Sequence, residues 1–191
     1  DQNILFTKGF QKQRVLVTHG GVDFKLIPKK EIPFKFAAIW VGRLHPQKGV
    51  DDLLPIWQKV TEKLPKARLA LVAEDDLKIY LMKKKLYSKL KDNLFFAGYH
   101  YGKSLFTLLK SSRVFLCPSY YESFGQVALE AMANGLPVVA YNLPVFSVFK
   151  KGMIKVPILD NNKFTKEILK LLNNFSYYTN KAEEALKYAS T

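Results

Sequence analysis

The chain has 191 residues, of which 48% are hydrophobic and 24% are charged, a balance typical of a folded globular protein and not of a disordered segment. Thirty Lys and Arg against sixteen Asp and Glu give a formal net charge of +14, which favours anionic partners, although a solvated Lys-rich surface would also explain it. No apolar run reaches the roughly 18–20 residues of a membrane-spanning helix, and the single cysteine, Cys117, excludes an internal disulfide.

The first residues, DQNILFTKGF, contain no basic segment followed by an apolar stretch, so we expect no signal peptide. Together with the single cysteine, this predicts a reducing, cytoplasmic setting. The absence of a starting Met predicts a fragment or a processed chain. Only four of the thirty basic residues are Arg, and because nucleic-acid readers rely on Arg for bidentate contacts, we expect no nucleic-acid partner.

Short, continuous apolar runs alternate with amphipathic stretches along the chain. The runs predict strands covered on both faces, at residues 14–18, 36–41, 68–72, 93–96, 114–117 and 137–140. The amphipathic stretches predict helices at residues 50–64, 77–91, 104–110, 124–133, 164–173 and 181–189. Residues 141–151 are expected to form a loop.

This alternation predicts one α/β domain with a Rossmann-like, doubly wound and mostly parallel sheet. Ligands of such sheets bind at the carboxyl ends of the strands. The segments directly after the strands are therefore the candidates for function.

The first such segment is GRLHPQKG, after the strand at residues 36–41. Gly42 allows the backbone to bend closely, and Arg43 and Lys48 place two cations on one loop. Two convergent cations at a strand end suit a diphosphate, while a surface loop with solvated charges is the alternative. His45 is expected to be a structural or rim residue.

The second segment, SYYESFGQVALEAMANGLPVVA, follows the strand at residues 114–117. Its predicted helix is apolar on nearly every side and should be buried. The backbone N–H groups of Phe124, Gly125 and Gln126 at the start of that helix predict an anion site.

Two carboxylates in this second segment, Glu122 and Glu130, are suited to accept hydrogen bonds from the hydroxyls of a sugar and a ribose. A glycosidase acid/base pair would need a raised pKa, whereas the helix terminus and the cations are expected to lower the pKa of both groups. A nucleotide-sugar fits this combination of charges. The structural alternative is that Glu122 caps the helix and Glu130 pairs with Lys or Arg.

A relaxed P-loop pattern, AGYHYGKS, occupies residues 97–104. Its bulky residues Tyr99, His100 and Tyr101 stand where a phosphate cradle prefers small ones. A P-loop NTPase is therefore kept as a less favoured alternative. The three histidines have no metal-ligand spacing, so no metal site is expected.

At these residues the sequence resembles the donor-nucleotide domain of the group 1 glycosyltransferases, which are retaining enzymes with the two-domain GT-B fold. The E-x7-E motif from Glu122 to Glu130, with the GR…KG loop upstream, is the most specific part. The matching pieces run over residues 15–140: GGVDF, VGRLHPQKGVDDLL, ARLALVAE, NLFFAGY, LFTLLKSSRVFLCPS and ESFGQVALEAMANGLPVVA.

The resemblance implies a role for individual residues. Arg43 and Lys48 would bind the donor diphosphate and stabilise the leaving nucleoside diphosphate, Glu122 would contact the transferred sugar, and Glu130 would hold the ribose. These three, Arg43, Lys48 and Glu122, would be catalytic. The donor-binding residues would be Gly42, Arg43, Lys48, Tyr99, Glu122, Ser123, Phe124, Gly125, Gln126 and Glu130. The donor would be a UDP- or GDP-linked sugar, with no metal required.

The resemblance also implies that residues 1–191 are the C-terminal half of such an enzyme. An N-terminal acceptor domain, absent from this chain, would be its partner, so that the fragment binds the donor without transferring sugar. The acceptor would be a glycan, a lipid or a small molecule, and contact with an anionic membrane at the inner face stays open. A non-catalytic nucleotide-sugar-binding module is the rival interpretation.

Two segments depart from the family pattern. AEDD at residues 73–76 stands where many members have a G-x-GP turn, and YNLPVFSVFKKG follows PVVA in place of a GG-x-x-E-type loop. Contacts from these two segments to the donor are therefore not implied.

Overall fold

The computed structural model describes residues 7, 8 and 20–190, so the strand predicted at residues 14–18 and His19 lie outside the described part. Strands and helices alternate along the described chain. In chain order they are β1 (Phe36–Val41), α1 (Val50–Lys63), β2 (Leu69–Val72), α2 (Asp75–Met82), α3 (Tyr87–Leu90), β3 (Leu94–Gly98), α4 (Gly102–Lys110), β4 (Ser112–Cys117), α5 (Gln126–Ala133), β5 (Val138–Tyr141), β6 (Met153–Val156), α6 (Asn161–Asn173) and α7 (Phe175–Ala189).

The six strands form one sheet in the order β3-β2-β1-β4-β5-β6, and every neighbouring pair is parallel. From β1 the chain adds β2 and then β3 on one side. It then returns to place β4 on the other side of β1. This reversal between β1 and β4 is the topological switch point of a doubly wound sheet. The predicted fold class is confirmed.

Helices cover both faces of the sheet because the strands are apolar on both sides. One face packs on α1, α2, α3 and α6, with Trp40, Trp57 and Phe164 fully buried in its core. The other packs on α4, α5 and α7, where Ile39 and Met132 are fully buried. Neighbouring residues of β1 thus serve opposite cores, as the alternation of side chains along a strand requires.

The largest differences from the predicted elements are an additional strand, a divided helix and two earlier helix starts. The edge strand Met153–Val156 was not predicted, and the helix expected at residues 77–91 is two helices, α2 and α3. Helices α6 and α7 begin earlier than expected because each has an N-cap: the side chains of Asp160 and Asn174 accept hydrogen bonds from the first turn. In the described part of the chain, no helix has the length and apolar character to cross a membrane.

Candidate functional site

The two predicted segments meet at the switch point of the sheet. The GRLHPQKG loop follows β1 and the SYYESFG loop follows β4, and these two strands are hydrogen-bonded neighbours, with Ile39 opposite Phe115. Since parallel strands end at the same edge, the loops lie side by side. Of the predicted residues, the structure brings Lys48 and Glu122 into direct contact.

This contact is a charged hydrogen bond in which Nζ of Lys48 lies 2.7 Å from Oε1 of Glu122. The same oxygen accepts a hydrogen bond of 2.8 Å from the hydroxyl of Ser119, a buried residue that the prediction missed. The two charged side chains keep exposed fractions of 26% and 14%. The pair is therefore fixed in position yet open to a ligand.

Backbone contacts hold the two loops together. Gly49 has φ +63°, and a Cβ at this position would collide with the carbonyl oxygen of Pro118, so only glycine allows the approach. The N–H of Tyr120 donates to the carbonyl of Gln47 at 2.7 Å. His45 accepts a hydrogen bond through Nδ1 from the N–H of Gln47 at 3.3 Å, which is the structural role expected for it.

Arg43 and Gly42 occupy the start of the same loop. The Arg43 side chain is exposed and makes no ion pair or hydrogen bond with any described residue, so its guanidinium is available to an anion. The N–H of Gly42 donates to the carbonyl of Val72 at 3.1 Å. A Cβ on Gly42 would lie 2.9 Å from the ring of Trp40. A larger residue at this position would therefore crowd the Trp40 side chain.

Helix α5 begins at Gln126 and not at Phe124 as predicted, because Gly125 has φ +91° and serves as its N-cap. The first intrahelical bond runs from the N–H of Leu129 to the carbonyl of Gly125. Within the described chain, the N–H groups of Gln126, Val127 and Ala128 have no acceptor. The free donors that can bind an anion are therefore shifted by two residues along the helix.

Residues of both loops and the start of α5 line a cavity of about 140 Å³. Its polar lining includes Lys48, Ser119, Glu122, Ser123 and Gln126. Ligand pockets usually measure about 300–1,000 Å³. This cavity can therefore hold only part of a large ligand.

The prediction for Glu130 is wrong in its electrostatics. Burial raises the pKa of this carboxyl, and the hydrogen bond from Gln126 only partly opposes it. Nε2 of Gln126 lies 3.2 Å from Oε1, and no Lys or Arg of the described chain pairs with Glu130. The terminus of a helix favours a negative charge only within the first turn. Glu130 is the fifth residue of α5 and lies beyond that turn.

Gln126 also connects α5 to the GGVDF segment. Its Nε2 donates to the carbonyl of Gly21 at 2.7 Å. A Cβ on Gly20 would come within 2.5 Å of the Phe124 ring. Gly20 and Gly21 thus contact the residues at the start of α5.

Tyr99 lies in the loop after the edge strand β3, with 68% of its surface exposed. Its ring is 6.0 Å from that of Tyr101. This loop does not have the form of a phosphate cradle: the hydroxyl of Ser104 donates to the carbonyl of Tyr101 at 2.8 Å, and His100 is in hydrogen-bond contact with the carbonyl of Ala97. The geometry argues against the P-loop alternative.

A second polar cluster lies beneath the site and was not predicted. The carboxylate of Asp52, 8% exposed, accepts hydrogen bonds from the hydroxyls of Tyr120 and Tyr141 at 2.7 and 2.6 Å and from Nδ2 of Asn161 at 3.3 Å. Burial and the neighbouring carboxylate raise the pKa of both tyrosines. The sequence distances are too long for a local pattern to reveal this network.

Cys117 lines the cavity floor as a free, buried thiol. Burial, with a smaller contribution from the charge of Glu122, raises its pKa to about 11. The thiol is therefore protonated and unreactive at neutral pH. The described residues contain no group of three or more His, Cys, Asp or Glu placed to hold a metal ion.

Comparison with known proteins places this geometry in a family. The profile of the glycosyl transferases group 1 family matches residues 35–174. The chain is 40% identical over 101 residues to the uncharacterized glycosyltransferase MJ1607 of Methanocaldococcus jannaschii and 39% identical over 108 residues to the sulfoquinovosyl transferase SQD2 of Arabidopsis thaliana. These matches cover 53% and 56% of this chain but only 26% and 20% of the relatives.

Solved structures show the same fold. The C-terminal domain of a group 1 family glycosyl transferase, LpcC of Francisella tularensis, superposes with a TM-score of 0.74 at 20% identity, over 89% of this chain and 97% of that domain. The pneumococcal O-GlcNAc transferase GtfA, solved in complex with UDP and GlcNAc, gives a TM-score of 0.78 at 20% identity, over 99% of this chain and 40% of GtfA. The family profile covers more than two thirds of the sequence. The chain therefore belongs to the group 1 glycosyltransferases and has the fold of a GT-B C-terminal domain.

Proposed function

We propose that this chain is the donor-binding domain of a retaining glycosyltransferase, which transfers a sugar from a nucleotide-sugar to a glycan, lipid or small-molecule acceptor. The observation that carries the proposal is the Lys48–Glu122 pair beside the first N–H groups of α5, which have no acceptor among the described residues. It combines donors for phosphate with an acceptor for sugar hydroxyls at one point of the sheet.

The diphosphate would bind among Arg43, Lys48 and the start of α5. Arg43 forms no ion pair with a described residue, whereas Nζ of Lys48 would be shared between Glu122 and a phosphate oxygen. As the bond between the anomeric carbon and the phosphate oxygen breaks, negative charge grows on the leaving diphosphate. Fixed cations and N–H groups stabilise this charge without having to reorganise, so the chemistry assigned to them needs no metal from this domain.

The sugar and the ribose would bind to the two carboxylates. Oε2 of Glu122 accepts no hydrogen bond from a described residue, which leaves it for a hydroxyl of the transferred sugar. Oε2 of Glu130 is likewise unoccupied by described residues and would accept from the ribose. The exposed ring of Tyr99 offers a flat surface for the base at the same edge of the sheet.

A second domain would complete the site. The cavity of about 140 Å³ is too small to enclose a nucleotide-sugar, and the chain covers about a quarter or less of the curated relatives named above. The N-terminal acceptor domain would close over the donor and bring the acceptor hydroxyl to the anomeric carbon. The chain alone is expected to bind the donor without transferring its sugar.

Calorimetric titration of the 191-residue chain with UDP and GDP, in EDTA and again in Mg²⁺, tests the proposal. We expect one of them to bind in EDTA, and Lys48→Ala to weaken binding about ten- to a hundred-fold, the effect of losing one charged hydrogen bond. Lys103→Ala is the matched control, because Lys103 is exposed and belongs to the P-loop pattern. Absence of binding under both conditions, or a dependence on Lys103 instead of Lys48, would overturn the proposal.

A further inference from the structure

The outer side of α2, α3 and the turn between them has the densest positive charge in the sequence. Six of the thirty Lys and Arg residues lie between residues 78 and 91, and no Asp or Glu does. Five of these lysines are exposed and form no ion pair with described residues: Lys78, Lys83, Lys85, Lys89 and Lys91. The exposed residues of segment 78–91 are called the lysine surface below.

Two large apolar side chains lie within the lysine surface. Ile79 and Met82 are 56% and 53% exposed, and because they are three residues apart on α2, they share one face of the helix. The opposite face carries Leu77 and Leu81, which are buried in the core. Ile79 and Met82 therefore face outward from a helix whose packing is already satisfied.

We propose that the lysine surface docks this chain on an anionic lipid membrane. Lysines near an anionic leaflet gain about 1 kcal/mol each, and apolar side chains between them can enter the boundary between headgroups and acyl chains. A soluble polyanion would satisfy the lysines but offers no hydrocarbon to Ile79 and Met82. The combination of both features favours the membrane.

The acidic residues nearest to the lysine surface set its orientation. Glu74, Asp75 and Asp76 stand at the start of α2, Lys83 and Lys85 follow its end, and the exposed Asp92 follows Lys91 just after α3. A helix of eight residues is about 12 Å long, which exceeds the Debye length of about 8 Å at physiological salt. The membrane contact is therefore expected at the end of α2 and the start of α3, away from the carboxylates at the start of α2 and from Asp92.

The lysine surface lies close to the candidate site. Lys84 forms an ion pair of 2.7 Å with Asp51. Asp51 belongs to the first turn of α1 and lies three residues after Lys48 in the sequence. If the proposed function holds, docking would bring the donor site near the membrane and favour an acceptor embedded there. The docking itself does not depend on that function.

Binding of the 191-residue chain to vesicles tests the proposal by co-sedimentation. We expect binding to vesicles of phosphatidylglycerol and phosphatidylcholine in equal parts, weakening with added salt, and none to phosphatidylcholine alone. The double variant Lys83→Gln/Lys85→Gln should lower the partition coefficient about 25-fold, since each lysine contributes about fivefold. Ile79→Ser/Met82→Ser should also lower it, by about tenfold or more, because two exposed apolar side chains are lost.

Matched controls make the outcome decisive. Lys163→Gln/Lys166→Gln removes the same charge from exposed positions on α6, and Phe175→Ser removes an exposed apolar side chain from α7. An equal loss in the α6 variant would show diffuse attraction and overturn the proposal. Unchanged vesicle binding by Ile79→Ser/Met82→Ser, with equally tight binding of heparin, would also overturn it and identify a site for soluble polyanions. Titration with UDP and GDP, run in parallel on each variant, separates these results from a failure of the donor site.

Discussion

Two carboxylates stand at the same end of the sheet and differ in how their oxygens are hydrogen-bonded. Glu122 accepts two hydrogen bonds through one oxygen, from Lys48 and Ser119, and its other oxygen has no partner in the described chain. Asp52 accepts bonds through both oxygens from three side chains. Both clusters join the region after β1 to the region after β4, but only the first one lines the cavity.

The difference shows how a fold separates binding capacity from stability. A buried carboxylate must have its hydrogen bonds satisfied, because an unpartnered one is costly to bury. Asp52 meets this condition with Tyr120, Tyr141 and Asn161, and therefore has nothing left to offer a ligand. Glu122 keeps an unused oxygen near solvent, which is affordable only because the side chain remains partly exposed.

The largest expected effect tests the cluster of hydrogen bonds around Asp52. Asp52→Ala should lower the free energy of unfolding by about 3–5 kcal/mol, since the change leaves the donors of Tyr120 and Asn161 without this acceptor, at about 1–3 kcal/mol each, and leaves the buried hydroxyl of Tyr141 with Asn161 as its other acceptor. Urea denaturation measures it. Tyr141→Phe, which removes a single donor, should cost less. A loss below about 1 kcal/mol for Asp52→Ala would mean that water satisfies the cluster and that it is not structural.

The next effect tests the proposed donor site through Arg43, which forms no ion pair with a described residue. In the complete enzyme, Arg43→Ala should lower kcat, because it should raise the activation free energy by about 3–4 kcal/mol, as for other groups that stabilise a developing charge. The unfolding free energy should change by less than about 0.5 kcal/mol, because Arg43 is exposed and unpaired with described residues. Steady-state kinetics and urea denaturation measure the two quantities. A variant that loses stability and keeps its turnover would reverse the roles assigned to the clusters.

Glu122 is expected to distinguish two ligands at the proposed donor site. Glu122→Gln should weaken a nucleotide-sugar by about 1.5–3 kcal/mol through the lost charged hydrogen bond. The bare nucleoside diphosphate should bind as well as before or better, because Lys48 is no longer neutralised at 2.7 Å. Calorimetry with both ligands decides the matter. Equal losses of affinity for the two ligands would contradict the proposed contact between Glu122 and the sugar.

The smallest effect concerns pH and Glu130. Burial raises the pKa of this carboxyl in the folded state above its ordinary value of 4.5, so the folded protein holds this proton more tightly than the unfolded chain. Stability from this group is present at low pH and is lost as pH rises through the interval above 4.5. Glu130→Gln should therefore gain stability relative to wild type above that interval, as measured by urea denaturation across it. A gain confined to acidic pH would contradict the shift.

Much of the fold follows from the sequence because buried strands leave a strong pattern. FAAIWV is continuous and apolar, and β1 has the predicted bounds. Strand β6 was missed because only Met153 and Val156 of its four residues are buried at the sheet edge. The N-caps Asp160 and Asn174 were available in the sequence and would have placed the starts of α6 and α7.

The site was predictable where neighbours in sequence carry it. The loops of Lys48 and Glu122 could be brought together because each follows a strand, but their ion pair and the hydrogen bond from Ser119 to Glu122 join side chains in irregular loops and were not predicted. The shift of the start of α5 to Gln126 depends on the left-handed backbone of Gly125, which packs against Phe146. The pKa of Glu130 depends on burial by the whole fold. Neither the start of α5 nor the pKa of Glu130 can therefore be predicted from a local sequence pattern.

The contact between Gly49 and Pro118 has a consequence for affinity. Together with the bond from Tyr120 to Gln47, it orders the loops after β1 and β4 before any ligand arrives. The conformational entropy of these loops is thus lost on folding, when the core can offset it. A ligand at Lys48 and Glu122 would then avoid the cost of about 0.5–1.5 kcal/mol for each side chain that it would otherwise have to immobilise.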